Sequence, residues 1–239
     1  MWIMCASRIL PPKIAPLVVS QTKPKHTGTL FFFHGSGDTS DGIKLWLKEV
    51  TGKEFVFPHM KIIYPSAPVR PYTPMLGQLS TVWFDRKQIS PFVPEDTKTL
   101  EESCSELNKL IETEVENGIP LERIILGGFS MGGAMALHLG YRYQKQVAGV
   151  IALSSFLNQQ SVVYEGLKHD FGPLPPLFQA AGTADSLVLF DWVATTNKEL
   201  SALGVQTTFH KFDNLCHELS REEVQLMRKW IEERVPDDR

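Results

Sequence analysis

The chain has 239 residues, of which 43% are hydrophobic and 21% are charged, and its formal net charge is -3. A chain of this length and composition is able to bury its own hydrophobic core. The small net charge, without blocks of like charge, argues against binding to nucleic acid. We therefore expect one domain over 1–239, in which residues 1–13 form a flexible N-terminus.

The three cysteines, Cys5, Cys104 and Cys216, lie far apart in the sequence. They form no CxxC pair, so the sequence predicts neither a structural zinc site nor a disulfide framework, and a reducing compartment fits this pattern. No segment approaches the ~18 consecutive apolar residues of a membrane span, and the N-terminal stretch lacks a secretory signal. We expect a cytoplasmic protein without a transmembrane segment; acylation of Cys5 and the oligomeric state stay open.

Apolar, β-branched and aromatic runs predict β-strands. In chain order these strands are 29–35, 61–65, 123–128, 147–154, 175–182 and 205–212. The middle runs are apolar at successive positions, which is typical of parallel strands covered on both faces.

Four segments predict helices because their apolar residues recur about every 3.6 positions. They are 97–118, 131–144, 185–204 and 217–235. Strands that alternate with helices predict an α/β fold, with a mostly parallel central sheet and helices on both faces. The proline-rich region 65–95 has no clear period and is predicted as a long ordered loop, with a functional and a covering role both open.

The sequence Gly128-Phe129-Ser130-Met131-Gly132 joins a predicted strand to a predicted helix. A serine at the tip of such a sharp turn adopts strained backbone angles, and its neighbours two positions away must be small. The turn lifts the hydroxyl to the carboxyl end of the sheet and directs a helix N-terminus at it. This Gly-x-Ser-x-Gly pattern predicts that Ser130 is a nucleophile in an α/β-hydrolase fold, against the alternative of an ordinary strand-to-helix turn.

A serine hydroxyl needs a base to become nucleophilic, and in this fold the chain order is serine, acid, histidine. His217 follows the last predicted strand, from where an imidazole is able to reach back over the sheet. The other histidines after Ser130 lie within the same helix, before a strand or within a strand: His138, His169 and His210. We therefore predict His217 as the general base.

Asp185 is the predicted acid because it directly follows the strand 175–182. A capping role for Asp185 at the next helix is compatible with this assignment. Asp213, in the same loop as His217, is the main alternative. Two further aspartates are poorly placed, before the strand and within the helix: Asp170 and Asp191.

A His-Gly motif after an early strand supplies part of an oxyanion hole in this fold. Here the motif is His34-Gly35-Ser36-Gly37-Asp38. We predict that the backbone N–H groups of Ser36 and Met131 bind the carbonyl oxygen of the substrate. His34 precedes the nucleophile and is expected to hold the loop by hydrogen bonds, while the preceding triple phenylalanine is expected in the core.

With these motifs, the chain resembles the acyl-protein thioesterase and lysophospholipase family of α/β-hydrolases. The resemblance covers about residues 28–235 and rests on FFFHGSGD, IIYPSAPVRPYT, WFD, NGIPLERIILGGFSMGGAMAL, GTADSLV and CHELS, in the family's order. It implies that Ser130, Asp185 and His217 form the catalytic triad and that Ser36 and Met131 donate to the oxyanion from the main chain.

Two positions depart from the usual pattern of the family's thioesterases, which carry Leu and Gln where this chain has Ser36 and Met131. Both variants occur in the lysophospholipase-like branch of the family. Because the oxyanion contacts come from the main chain, we expect catalysis to persist while the walls around the acyl group change. The substrate-binding lining is expected to come from the 65–95 region, including Met75, Leu76 and Trp83.

The sequence thus predicts a serine hydrolase that cleaves thioester or ester bonds of acyl groups on a protein or a small molecule. The resemblance implies depalmitoylation of S-acylated proteins, and neither a cofactor nor a metal is expected. Three alternatives stay open: a short-chain carboxylesterase, a lysophospholipase, and a non-catalytic scaffold, although scaffolds of this fold usually lack one triad residue.

Overall fold

The computed structural model describes residues 14–22, 25–170 and 172–237. The predicted flexible segment 1–13, with Cys5, lies outside the described residues. The described strands are β1 Ala15–Ser20, β2 Gly28–Phe33, β3 Met60–Ser66, β4 Val69–Tyr72, β5 Gln78–Thr81, β6 Ile124–Phe129, β7 Gly149–Leu153, β8 Leu177–Gly182 and β9 Thr207–Phe212. The described α-helices are α1 Ser40–Thr51, α2 Thr97–Glu116, α3 Met131–His138, α4 Val162–Leu167, α5 Phe190–Ala202 and α6 Arg221–Arg234.

The central sheet is mostly parallel, as predicted. Its strand order is β1-β3-β2-β6-β7-β8-β9, and β1 pairs antiparallel with β3 while the other neighbours run parallel. The carboxyl ends of the six parallel strands therefore lie along one edge of the sheet, where ligands of open α/β sheets bind.

Two apolar cores cover the two faces of this sheet. Alternate residues of β2 divide between them, because successive side chains of a strand point to opposite faces: Phe31 and Phe33 pack with α2 and α3, whereas Leu30 and Phe32 pack with α1 and α6. All three phenylalanines are fully buried. Helices on both faces explain why the parallel strands are apolar at successive positions.

The six predicted strands agree with the observed ones to within two residues at each end. Two helices begin later than their periodicity predicts, α5 at Phe190 and α6 at Arg221, and a third helix, α3, ends earlier. The carboxylate of Asp185 accepts the N–H groups of Leu187 and Val188, which forms a turn before α5 begins at Phe190. The α3 helix is shorter than predicted because the chain continues as a π-helical turn over Leu139–Tyr143.

The 65–95 region, predicted as a long ordered loop, contains two strands: β4 and β5 form an antiparallel hairpin whose residues pair from Val69 with Thr81 to Tyr72 with Gln78. The hairpin turn uses two left-handed residues, Leu76 and Gly77. Helix α1 was also not predicted, although Thr39 caps its start and Gly52 its end. Among the described helices, none combines the length and apolar character that crossing a bilayer requires.

Helix α6 begins with a capping box that buries a carboxyl group. The Ser220 side chain accepts the N–H of Glu223, and the Glu223 side chain accepts the N–H of Ser220. Glu223 is fully buried, and its Oε1 atom has no hydrogen-bond partner in the described part of the chain. Burial raises the pKa of Glu223 to about 8, against an ordinary value of 4.5, although the hydrogen bond from Ser220 favours the charged form.

We expect this carboxyl group to lower the stability of the protein as pH rises. Between about pH 4.5 and about pH 8 the unfolded chain loses the Glu223 proton while the folded chain retains it. The free energy of unfolding therefore falls by up to ~1.4 kcal/mol per pH unit, and the stabilisation is complete only below the lower pKa. Urea unfolding across this pH range should give a flatter profile for Glu223→Gln than for the wild type or for Glu222→Gln, whose side chain is exposed. Equal slopes in all three proteins would contradict this prediction.

Candidate active site

Ser130 lies at the tip of the turn between β6 and α3 and has a strained backbone. Its φ of 54° and ψ of -121° are outside the regions that L-residues favour. The N–H of Ser130 donates to the carbonyl of Leu153 at the end of β7, at 2.8 Å. Such strain persists only where the surrounding structure fixes the backbone, and it concentrates at functional sites.

The glycines on either side of Ser130 are required by close backbone packing. A Cβ atom on Gly128 would lie 2.3 Å from the carbonyl carbon of Gly132, and one on Gly132 would lie 2.1 Å from the carbonyl oxygen of Phe33. These contacts are with main-chain atoms, which cannot move aside as a flexible side chain would. The turn therefore excludes even alanine at both positions, as the Gly-x-Ser-x-Gly pattern predicts.

The structure brings Ser130, His217 and Asp185 together in one chain of hydrogen bonds. The distance from Ser130 Oγ to His217 Nε2 is 3.1 Å, and that from His217 Nδ1 to Asp185 Oδ2 is 2.7 Å. Both distances lie within the reach that proton transfer requires. Three side chains that are remote in sequence thus meet at the carboxyl edge of the sheet.

The environment of Asp185 determines which atoms carry protons in this chain of hydrogen bonds. Burial alone would raise the pKa of Asp185, but the hydrogen bond from His217 and those from the N–H groups of Val188 and Leu187 hold it below its ordinary value. An ionised Asp185 only accepts hydrogen bonds, so His217 carries its proton on Nδ1. In the neutral imidazole, Nε2 is then free to accept the hydroxyl proton of Ser130.

Aromatic packing holds the imidazole of His217 against the turn between β6 and α3. The ring of Phe129, which precedes Ser130, lies 4.8 Å from the ring of His217 between centroids. Trp46 of α1 packs edge-on against the other side of Phe129 at 5.0 Å. The helix that the sequence did not predict therefore supports the residue that contacts the predicted base.

The other candidates for the acid and the base make contacts elsewhere in the structure. Asp213 is exposed and pairs with Lys211 at 3.0 Å. His138 is buried and lies 3.3 Å from Glu95, and His210 packs its ring against Phe178 at 5.0 Å. His169 is exposed after α4. The side-chain hydrogen bond of Ser130 in the described structure is to His217 and to none of these four residues.

The side chains of Ser36 and Met131 contact each other next to Ser130. The Ser36 hydroxyl donates to the Met131 sulfur at 3.6 Å, and a Cβ on Gly35 would lie 3.4 Å from Cβ of Ser130. Met131 is the first residue of α3. Its N–H group therefore belongs to the first turn, whose donors have no acceptor within the helix.

His34 holds this loop in the way that the sequence predicts. Its Nε2 accepts the N–H of Ala67 at 2.9 Å, so Nδ1 carries the proton and donates to the carbonyl of Gly35 at 2.6 Å. Burial lowers the pKa of His34 despite the hydrogen bond to Gly35, which keeps the imidazole neutral. The Nε1 of Trp83 donates to the His34 carbonyl at 2.9 Å, from a fully buried position.

A cavity of about 290 Å³ lies beside Ser130 and His217. Its lining comprises Gly35, Ser36, Asp38, Trp46, Arg86, Ile89, Phe129, Ser130, Leu187 and His217. A second, inner cavity of about 10 Å³ is lined by Arg86, Ser130, Met131, Ala134, Ser154, Ser155, Phe156 and Val188. The inner volume corresponds to about one water molecule.

The predicted substrate-binding residues Met75, Leu76 and Trp83 do not line either cavity. Met75 and Leu76 are 44% and 95% exposed at the turn of the β4–β5 hairpin, because the antiparallel pairing carries this turn away from the sheet edge. Trp83 lies beneath the His34 loop as a support. The 65–95 region does contribute to the lining, through Arg86 and Ile89. Trp46 and Leu187 come from outside that region and were not predicted, although Leu187 follows Asp185 closely in the sequence.

The two cysteines in the described chain do not contribute to a metal centre. Cys104 is buried in the α2 core and Cys216 is exposed beside His217. Within the described ranges no group of three or more histidine, cysteine or acidic side chains is arranged to hold a metal ion.

Comparisons with known proteins agree with this fold. The model of the phospholipase/carboxylesterase family matches residues 15–235. Lysophospholipase-like protein 1 from Mus musculus is 50% identical over 221 residues, which cover 92% of both chains. Acyl-protein thioesterase 1 from Yarrowia lipolytica is 31% identical over 228 residues, which cover 93% of this chain and 98% of the relative.

Solved structures of plant proteins share the architecture. Arabidopsis thaliana SOBER1 superposes with a TM-score of 0.77 at 26% identity, over 87% of this chain and 99% of its own. Acyl-protein thioesterase 2 from Zea mays gives a TM-score of 0.76 at 26% identity, over 92% of this chain and 99% of its own. The resemblance to thioesterases and lysophospholipases is confirmed, and the chain belongs to the phospholipase/carboxylesterase family of serine hydrolases with an α/β-hydrolase fold.

Proposed function

We propose that this protein hydrolyses thioester or ester bonds of acyl groups, with Ser130 as nucleophile, His217 as general base and Asp185 as its orienting acid. The observation that carries the proposal is the unbroken hydrogen-bond chain of these three side chains beside an open cavity. A Ser-His-Asp chain of this geometry is the arrangement that makes a serine hydroxyl nucleophilic.

In the first half of the reaction, Ser130 Oγ forms a bond to the carbonyl carbon while its proton passes to His217 Nε2. Asp185 holds the proton of Nδ1 and stabilises the imidazolium that results. Collapse of the tetrahedral intermediate breaks the bond to the leaving sulfur or oxygen. The leaving group takes the proton from Nε2, and the acyl group stays on Ser130.

The negative charge of the intermediate is stabilised by the backbone N–H groups of Ser36 and Met131 in this proposal. The position of Met131 at the start of α3 supports it, because N–H groups of a first helical turn favour an anion. The contact of the Ser36 hydroxyl with the Met131 sulfur, and that of Gly35 with Ser130, support a position of the Ser36 backbone close to Ser130. In the second half of the reaction, His217 removes a proton from water, whose oxygen attacks the acyl carbon. The bond to Ser130 Oγ then breaks, Nε2 of His217 returns its proton to Oγ, and the carboxylic acid leaves.

The size of the cavities favours small acyl groups. The larger volume, about 290 Å³, lies at the lower end of the range for ligand pockets, and the inner volume accepts about one water-sized group. Names of relatives suggest acylated proteins and lysophospholipids as further substrates. We therefore propose a short-chain ester or thioester as the preferred substrate and depalmitoylation as the second candidate, in a cytoplasmic setting.

Replacement of the nucleophile tests the reaction itself. We expect Ser130→Ala to lower kcat for thioester hydrolysis by at least about 10⁴ and to abolish labelling by a fluorophosphonate, because both need the hydroxyl. Ser105→Ala, on an exposed face of α2, is the matched control and should retain both. Full activity or labelling in Ser130→Ala would rule out this nucleophile, and an unlabelled wild type would favour the scaffold alternative.

Replacement of the acid tests the assignment of Asp185 against Asp213. We expect Asp185→Asn to reduce kcat by a factor of about 10⁴, because an amide no longer fixes the Nδ1 proton of His217. Asp213→Asn should keep nearly all activity, since its carboxylate pairs with Lys211 at the surface. The reverse order of activities, in variants whose thermal unfolding matches the wild type, would exchange the two roles.

An acyl series tests the size limit. With one leaving thiol, kcat/KM should fall from the butanoyl through the octanoyl to the hexadecanoyl thioester, because the cavities leave little room beyond a short chain. Monomeric substrate concentrations and release of the thiol provide the measurement. A rise along the series, by the ~0.8 kcal/mol that each buried methylene contributes, would instead support depalmitoylation.

A further inference from the structure

The side chain of Arg86 lines both cavities beside Ser130 without a counter-ion of its own. In the described part of the chain it has no hydrogen bond and no ion pair within reach, and its Nε atom is buried without a partner. The guanidinium lies over the rings of Phe84 and Phe156, at 4.9 and 5.8 Å from their centroids. These two aromatic rings hold the guanidinium by cation–π contacts and leave its N–H donors without hydrogen-bond acceptors.

None of the carboxylates around the two cavities forms an ion pair with Arg86 in the described structure. Asp85 accepts the N–H and the hydroxyl of Thr73 at 2.8 and 2.6 Å, and Asp185 is bonded to His217. Asp38 lines the larger cavity, but no acidic residue lines the inner one. Burial lowers the pKa of Arg86, although Tyr72 and Asp85 favour its charged form. An arginine remains charged in proteins under such conditions.

Two serine hydroxyls line the inner cavity together with Arg86. Ser154 and Ser155 are 0% and 1% exposed, and neither Oγ atom has a hydrogen-bond partner within the described structure. Ser154 also has a left-handed backbone, with φ of 46°, at the end of β7. Unpaired buried donors and a strained backbone both cost free energy, which is typical of sites that a ligand completes.

We infer that Arg86, Ser154 and Ser155 form an anion-binding subsite, which selects substrates that carry a carboxylate or phosphate near the scissile bond. One anionic oxygen fits the water-sized inner cavity, and the rest of the group occupies the larger cavity, which Arg86 also lines. A guanidinium with free donors matches a carboxylate or phosphate in charge and geometry. The inference rests on the proposed hydrolase function and names its substrate class.

The charge reaches this subsite either from the acyl group or from the leaving group, and two pairs of thioesters distinguish them. In the first pair, N-acetylcysteamine carries a glutaryl group or the uncharged pentanoyl group of equal length. In the second pair, a butanoyl group is carried by mercaptoacetate or by uncharged mercaptoacetamide. The anion preference is kcat/KM for the charged member divided by that for its neutral match.

We expect the wild type to prefer the charged member of one pair. Arg86→Met should lower that preference by about 10–100-fold, the usual loss for a hydrogen-bonded charge, and Arg86→Lys should retain part of it. Lys87→Met removes the same charge from an exposed neighbouring position and is the matched control. A preference that Arg86→Met leaves unchanged, or that Lys87→Met lowers equally, would overturn the inference. Thermal unfolding of each variant verifies the fold.

A binding measurement separates this inference from the proposed reaction. If the wild type hydrolyses none of the four thioesters, the proposed function fails, and calorimetric titration with glutarate and with uncharged glutaramide decides the subsite. Glutarate should then bind to the wild type and to Lys87→Met, more weakly to Ser154→Ala, and not to Arg86→Met. Absence of glutarate binding to the wild type, or equal binding of glutaramide, would overturn the subsite independently of catalysis.

Discussion

The site depends on one steric constraint, the contact between the backbones of β6 and α3 at Gly128 and Gly132. This contact allows the chain to turn within a single residue, and it forces Ser130 into a left-handed conformation that an L-residue avoids. A strained residue costs about 1–3 kcal/mol, which the surrounding packing must offset. The hydrogen bond from Ser130 to β7 and the fully buried strands on both sides of β6 provide that support. The proposed nucleophile is thus held by main-chain packing rather than by its own side chain.

The parallel sheet brings the other residues of the site to the turn that carries Ser130. Because β6, β8 and β9 run in the same direction, the residues that follow them lie at one edge, although Ser130 and His217 are 87 positions apart. The same edge receives the His34 loop after β2, which is fixed to the chain after β3 through Ala67. Each participant comes from a different strand end, and the strand order sets their spacing. The geometry therefore depends on tertiary pairing more than on any local propensity.

The sequence predicts those parts of the molecule whose cause is local. The glycines around Ser130 indicate a close backbone contact, and the successive apolar residues indicate strands that are buried on both faces. The chain order of serine, acid and histidine then leaves few candidates. The lining of the cavity was not predictable in this way, because Trp46 reaches it only through the packing of α1 on Phe129. Met75 and Leu76 are predicted to line the substrate cavity, but both are exposed at the turn of the β4–β5 hairpin.

The polar groups of the site divide into two sets that differ in how they are satisfied. Asp185 accepts three hydrogen bonds, and His34 uses both ring nitrogens, so these residues are complete without a substrate. Arg86, Ser154 and Ser155 retain unused donors. Completed groups fix geometry before the substrate arrives, which is what a proton relay needs. Unused donors raise the free energy of the empty site and are relieved by a ligand that accepts them. A donor set that is left open beside the fully bonded groups of the proposed proton relay therefore supports recognition of substrate charge, because the two phenylalanine rings that contact Arg86 leave its Nε–H without an acceptor.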